Sequence, residues 1–306
     1  MLCIGLRVLL YFGVPQPEPS VLLLIPAYNE EERIEPVLRD FAEHFKRNYA
    51  GQFTIVVVLN GCVDNTWGVV ERVTRDYPSV TALEFPAPIG KGGALIEGFK
   101  LANRADLIGY VDADGATSPK AFHDLIRHRN EADCIIGSRW LPDSILHQSQ
   151  TKKRQFASRV FHRIVRFFFP SLKVTDTQCG CKIMRRKAAD RIHPALRIAD
   201  MAFDINLLYA LRRNGFAVRE IPTEWTDKIG SKVRLGRTSL VMFLSVVRLR
   251  IIYSPLAPYL RFLRPIETWV YSKLRAPVPL PRPESSLLDR EPDRYREQQQ
   301  AEHAKR

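Results

Sequence analysis

The chain is short of cysteine, of acids relative to bases, and of long apolar runs, and each shortage excludes something. Five cysteines in 306 residues (Cys3, Cys62, Cys134, Cys179, Cys181) stand at no spacing suited to a zinc site or a disulfide framework. Cys134 lies in an apolar run and reads as core, and a reducing compartment fits the whole set. No stretch reaches the ~18 continuous apolar residues that mark a membrane span. Residues 1–14 (MLCIGLRVLLYFGV) are apolar but short, interrupted by Arg7, and lack a small-residue cleavage site. They are expected to lie on a membrane or pack on the domain rather than to be the remnant of a longer anchor.

Acids are outnumbered, 33 against 46 Lys and Arg, which leaves a net charge of +13. Such an excess predicts an anionic partner without saying which one. It is concentrated: from Lys152 to Arg191 twelve Lys or Arg stand against two Asp. Nucleic acid, anionic lipid or a phosphorylated substrate would each account for it. The apolar fraction of 45% is ordinary for a globular core.

What the chain does have is alternation. Apolar runs at 21–28, 53–60, 80–85, 106–114 and 132–140 read as strands, separated by helical patterns near 31–47, 66–76, 91–103 and 118–130. Apolar strands with helical crossovers predict an α/β fold, a mostly parallel sheet with helices on both faces. Ligands of such sheets bind beyond the carboxyl ends of the strands. Asn29, Asn60, Asp64, Asp112 and Asp114 all fall there.

The most telling end is GYVDADGATSP at 109–119. The apolar stretch stops at Asp112 and Ala113-Asp114-Gly115 turns the chain; as residues i and i+2 of an extended segment, Asp112 and Asp114 share a face and can hold one hard divalent ion, Mg²⁺ or Mn²⁺, together with substrate phosphates. The bland alternative is a strand that ends in a polar turn. IGKGGAL at 89–95 lets a backbone come close at a helix start, which suits a diphosphate, with Lys91 as a nearby cation. It lacks the G-x-x-x-x-G-K-[ST] pattern of a Walker loop, and taken alone it is better explained as a plain glycine-rich helix start.

Beyond residue 140 the character changes. Residues 152–169 read as a helix with Arg159, Arg163 and Arg166 on one stripe and Phe156, Val160, Phe161, Ile164 and Phe167 on the opposite face. A second apolar helix, about 238–253, carries Arg248 and Arg250 near its end. Basic amphipathic helices lie in lipid interfaces; ordinary surface helices packed on the sheet are the alternative. From about 276 the chain is proline-rich and then charged, which predicts disorder. The expected organisation is an apolar segment at 1–19, one domain at 20–255 with its halves meeting at 140, and a tail at 256–306.

IPAYNEEERI (25–34), NGCVDNT (60–66), GKGGAL and DADGAT together resemble the nucleotide-sugar half of inverting family 2 glycosyltransferases of GT-A type. DTQCGCKIM (176–184), MAFDINLLYAL (201–211) and EIPTEWTDKIGSKV (220–233) look like dolichyl-phosphate glucosyltransferases and their polyprenyl-phosphate mannosyltransferase relatives. The resemblance implies that Pro26, Ala27, Tyr28, Asn29, Glu30, Asn60 and Asp64 hold the nucleoside. Lys91 would sit by the donor, and Asp112, Ala113 and Asp114 would carry the metal-bound diphosphate. Arg139 in GSRW would contact phosphate, Asp176, Thr177, Gln178 and Lys182 would shape the sugar and acceptor pocket, and Asp204 would lie close to the acceptor.

Two departures are visible. Relatives commonly carry two acids where this chain has Leu59 and Asn60, and mannosyl-transferring ones often have Gln where this chain has Ala116. The latter favours UDP-glucose over GDP-mannose as donor, with a polyprenyl phosphate as acceptor. The implied setting is peripheral, on the cytoplasmic face of a membrane. A family 2 enzyme with a non-lipid acceptor is the enzymatic alternative. A nucleic-acid-binding module leaves DAD and PAYNE unexplained, and nucleotidyltransferases would show a G-x-G-T-R loop where PAYNE stands.

Overall fold

The structure is a computed structural model that describes residues 17–147, 152–226 and 235–254, the side chains of 152–157 and 235–239 excepted. The N-terminal segment, the run after Thr226 to residue 234 and the tail from 255 lie outside the described residues.

Five apolar runs form strands: β1 (Val21–Ala27), β2 (Phe53–Asn60), β3 (Val80–Phe85), β4 (Leu107–Val111) and β5 (Cys134–Ser138). Between them lie α1 (Ile34–Asn48), α2 (Thr66–Asp76), α3 (Lys91–Phe99) and α4 (Pro119–Arg127). A two-residue strand, β6 (Ile145–Leu146), precedes α5 (Lys152–Phe168); β7 (Cys181–Arg185), α6 (Arg186–Ile192) and α7 (Phe203–Arg213) follow. β8 (Val218–Pro222), β9 (Glu224–Trp225) and α8 (Leu235–Ile252) complete the order.

The main sheet runs β3-β2-β1-β4-β7-β5-β8, and β6 pairs separately with β9. β1 is parallel to β2 and β4, and β5 to β8, but β7 is antiparallel to both of its neighbours. That reversal places the site. The parallel strands deliver their carboxyl ends to one edge, and β7 delivers the segment before it, 176–180, to the same edge.

Alternation along β1 divides the core. Val21, Leu23 and Ile25 pack under α1, α2 and α4, whereas Leu22 and Leu24 face α3, α6 and α7. α5 joins the second layer through Val165, and Phe169 just beyond its end does the same, with Phe161, Ile164 and Phe168 packed against it. Val160 and Phe167 do not join it: they are exposed beside Arg159, Arg163 and Arg166, and Phe167 is 80% exposed. At 100° per residue these five share one side of the helix, so the expected opposition of arginines to a single apolar face is corrected. Among the described residues no helix is long and apolar enough to cross a membrane.

Candidate active site

β4 ends at Val111, so the DAD segment is a turn rather than extended chain. Asp114 Oδ1 accepts the Ala116 N–H at 3.0 Å, and Gly115 takes φ +72°, a conformation suited to glycine. It is the turn, not strand alternation, that brings the two acids to one place. Burial, then the neighbouring Asp112, raise the Asp114 carboxyl above its ordinary value. Gly180, just before β7, lies against Asp112: a Cβ there would fall 2.1 Å from Asp112 Oδ2. Two hard carboxylates in mutual repulsion, one cradled by a glycine, fit a divalent cation that takes its remaining ligands from phosphate oxygens.

Lys91, the first residue of α3, sets its ammonium 2.5 Å from Asp112 Oδ1. Burial pulls its pKa down, but Asp112, Asp204 and Asp114 outweigh burial and raise it. The glycines around it act by packing. A Cβ on Gly90 would lie 2.3 Å from the Ala199 carbonyl oxygen and one on Gly92 2.5 Å from that of Ile198, while Gly93 N–H donates to Ala199 O at 3.1 Å. The close approach is thus filled by residues 198–199, in line with a plain glycine-rich helix start rather than a diphosphate cradle.

Behind Lys91 is a buried polar cluster. Asp204 at the start of α7 accepts from the Tyr110 hydroxyl and pairs with the Lys182 ammonium, and Lys182 also donates to Cys179 O at 2.5 Å and Thr177 O at 3.4 Å. Lys182 is 0% and Asp204 2% exposed. Burial works against an ionised Asp204, yet Lys182 and Lys91 hold its carboxyl below the ordinary value. Neither residue presents itself to a ligand; both were expected at the acceptor.

Arg139 and Asp176, expected as separate contacts, form a two-toothed pair: Nε to Oδ2 at 2.7 Å and Nη2 to Oδ1 at 2.9 Å. The Arg139 guanidinium also lies 5.0 Å from the centre of the Trp225 ring. Gln178 N–H donates to Asp176 Oδ1 at 3.3 Å, and Thr177 is buried. Trp225 is a site-lining residue that the sequence reading did not single out; its only signal was its place in the EIPTEWT run.

The first two loops are knitted together. Asn29, at φ +55°, accepts the Val63 N–H at 2.9 Å. Asp64 accepts from Glu31 N–H at 3.2 Å and Thr66 N–H at 3.1 Å, and Glu30 N–H donates to Thr66 Oγ1 at 2.9 Å. Asn60 is buried and its Oδ1 accepts the Ile89 N–H at 2.6 Å, so that oxygen ties β2 to the loop before α3. Pro26 and Ala27 end β1, and Tyr28 is exposed beside them. Ala113 is buried under the DAD turn.

The buried thiols are inert. Burial pushes Cys134 and Cys179 up to about 12, far from a thiolate at neutral pH.

Residues 22–192 match the family model described as glycosyl transferase family 2. The chain is 32% identical over 243 residues to the dolichyl-phosphate beta-glucosyltransferase of Dictyostelium discoideum, covering 76% of this chain and 74% of that protein. It is 32% identical to the human dolichyl-phosphate beta-glucosyltransferase, over 71% of this chain and 70% of the other. The glycosyltransferase AglD of Haloferax volcanii is also 32% identical over 75% of this chain, but the chain spans only 36% of that protein's length. Among solved structures, glucosyl-3-phosphoglycerate synthase of Mycobacterium tuberculosis in complex with Mn²⁺, UDP and glucosyl-3-phosphoglycerate superimposes with a TM-score of 0.57 at 17% identity, covering 76% and 80% of the two chains. Mannosyl-3-phosphoglycerate synthase of Rubrobacter xylanophilus gives 0.58 at 15% identity, with 78% and 77% covered. At such identities the likeness concerns the fold, which is GT-A. Sequence and architecture agree on one assignment: the chain belongs to glycosyl transferase family 2 and is a glycosyltransferase.

Proposed function

We propose that the enzyme moves glucose from UDP-glucose to a polyprenyl, dolichyl-type phosphate, as a peripheral protein on the cytoplasmic face of a membrane. The observation that carries this reading is the identity of about a third, over most of both chains, to dolichyl-phosphate beta-glucosyltransferases. The site chemistry supports it. Asp112 and Asp114 would hold Mg²⁺ or Mn²⁺, which supplies charge neutralisation at the departing nucleoside diphosphate. Lys91, already beside Asp112, keeps a positive charge within the same cluster. A phosphate dianion is nucleophilic near neutral pH, so the acceptor needs no protein base. This fits an Asp204 that is buried and committed to Lys182 and Tyr110.

A membrane surface is supported by the exposed face of α5, where Arg159, Arg163 and Arg166 flank Val160 and Phe167. Trp140 packs on His162 of α5 with ring centres 5.0 Å apart, and β6 beyond it exposes Ile145 and Leu146. The test is an assay of the purified chain with labelled UDP-glucose and GDP-mannose, with and without dolichyl phosphate. Glucosyl dolichyl phosphate, formed only with added divalent cation, is the expected product. Faster transfer from GDP-mannose overturns the donor, and transfer that ignores the lipid phosphate overturns the acceptor.

A further inference from the structure

The two cations at this site are held differently. Lys182 is fully enclosed and held by two backbone carbonyls as well as Asp204. Lys91 enters from the tip of α3, and among the described residues its ion-pair partner is Asp112. Asp204 acts on it as well, each charge favouring the other, and two contacts link the elements that carry them. A Cβ on Gly92 would lie 2.7 Å from Phe203 Cβ, so the neighbours of Lys91 and Asp204 abut. Tyr110, two residues before Asp112, carries its hydroxyl to Asp204. Lys91 is therefore paired with a carboxylate at the rim and lies in the field of a second one in the core. Three carboxylates (Asp112, Asp114, Asp204) face two ammonium groups, and a divalent cation would turn one net negative charge into one net positive.

We propose that Lys91 is a placeholder for the divalent cation: it holds Asp112 while the site is empty, and withdraws toward Asp204 when the metal and the diphosphate take that carboxylate. The proposal rests on the metal reading above. It makes Lys91 a positioning residue in two senses. It keeps Asp112 aimed at the metal position, and it discourages metal from binding ahead of the nucleotide. Asp204, kept ionised by Lys182 and oriented by Tyr110, is the place to which Lys91 retires.

The measurement is Mn²⁺ binding to the full chain without nucleotide, read from the free-Mn²⁺ spin-resonance signal. If Lys91 holds Asp112 in about nine molecules of ten, Lys91→Met tightens Mn²⁺ about tenfold, because the competent fraction rises to one. Asp204→Asn removes the retreat and weakens binding, but only while Lys91 is present; in the Lys91→Met background its effect disappears. If charge alone matters, Asp204→Asn shifts binding equally in both backgrounds, and that result overturns the proposal. Should Asp204→Asn not fold, Tyr110→Phe serves: it frees an acceptor on Asp204 for Lys91 and tightens Mn²⁺ in the parent chain but not beside Lys91→Met. Equal shifts in both backgrounds count against the proposal here too. A distinct result, Mn²⁺ bound equally well by Asp112→Asn, removes the metal reading itself.

Discussion

Lys182 is a charge in the middle of a sheet, on a strand flanked on both sides, and its burial is tolerated because every proton of the ammonium has an acceptor. Removing one member of such a pair leaves the other charge stranded. Lys182→Met is therefore expected to destabilise the fold by about 3–5 kcal/mol, and the double change Lys182→Met with Asp204→Leu to recover part of that. Urea unfolding of the two variants checks this, and a single variant as stable as the parent would show that the pair carries no such burden. Gly180 makes a second residue-scale case. With 2.1 Å between a would-be Cβ and Asp112 Oδ2, Gly180→Ala must push the carboxylate aside. Turnover should fall at least about tenfold, the equivalent of 1.4 kcal/mol, while the circular dichroism spectrum stays native. Normal turnover in Gly180→Ala would mean that Asp112 has no fixed position to lose.

At the scale of elements, the first five strands were legible because each is an apolar run closed by Asn, Asp, Gly or Pro, and the helices between them show the helical period. β7 was not, since a buried lysine interrupts its apolar pattern and nothing local says that 181–185 inserts between β4 and β5. That insertion is what makes the DTQCG run part of the site, so its motif was readable and its placement was not. At the DAD acids the small residues Ala113 and Gly115 made the turn legible, while the extended i, i+2 spacing of the acids does not hold. The glycines of 90–93 were legible as close approach, but what approaches is another stretch of the same chain, a long-range fact. α5 offers the element-scale test. Juxtamembrane cations are each worth about 1 kcal/mol at an anionic surface, so changing Arg159, Arg163 and Arg166 to Glu should release the protein from anionic liposomes in flotation. Undiminished flotation of the triple variant would sink the interface role of this helix.

Across the whole molecule, partly buried histidines in both helical layers oppose acid in the same direction. His44 on α1 and His123 on α4 share a contact of 3.1 Å between Nε2 and Nδ1, clamping two helices of one layer. Burial, reinforced for both by Arg127, lowers their pKa values below the ordinary one, and His44 adds to the effect on His123. The sign follows from linkage. The unfolded chain takes up protons near pH ~6.5, the folded chain only at lower pH, so stability is complete above that value and is lost as pH falls through the depressed values. His162 on α5 is lowered too, again by burial and then by Arg166, and acts in the same direction from the other layer. Asp176 and Asp204, held low by Arg139 and by Lys182 and Lys91 against the opposing effect of burial, add a second loss of stability further into acid. The melting temperature should therefore drop between pH 7 and 5, before Asp176 and Asp204 titrate. Replacing His44 and His123 together by Gln should flatten that drop, leaving the portion due to His162. The comparison is of slopes in differential scanning calorimetry, not of absolute stability, since the Gln pair also changes packing around Phe45 and Tyr49. Parallel slopes for parent and variant would locate the acid sensitivity elsewhere than between α1 and α4.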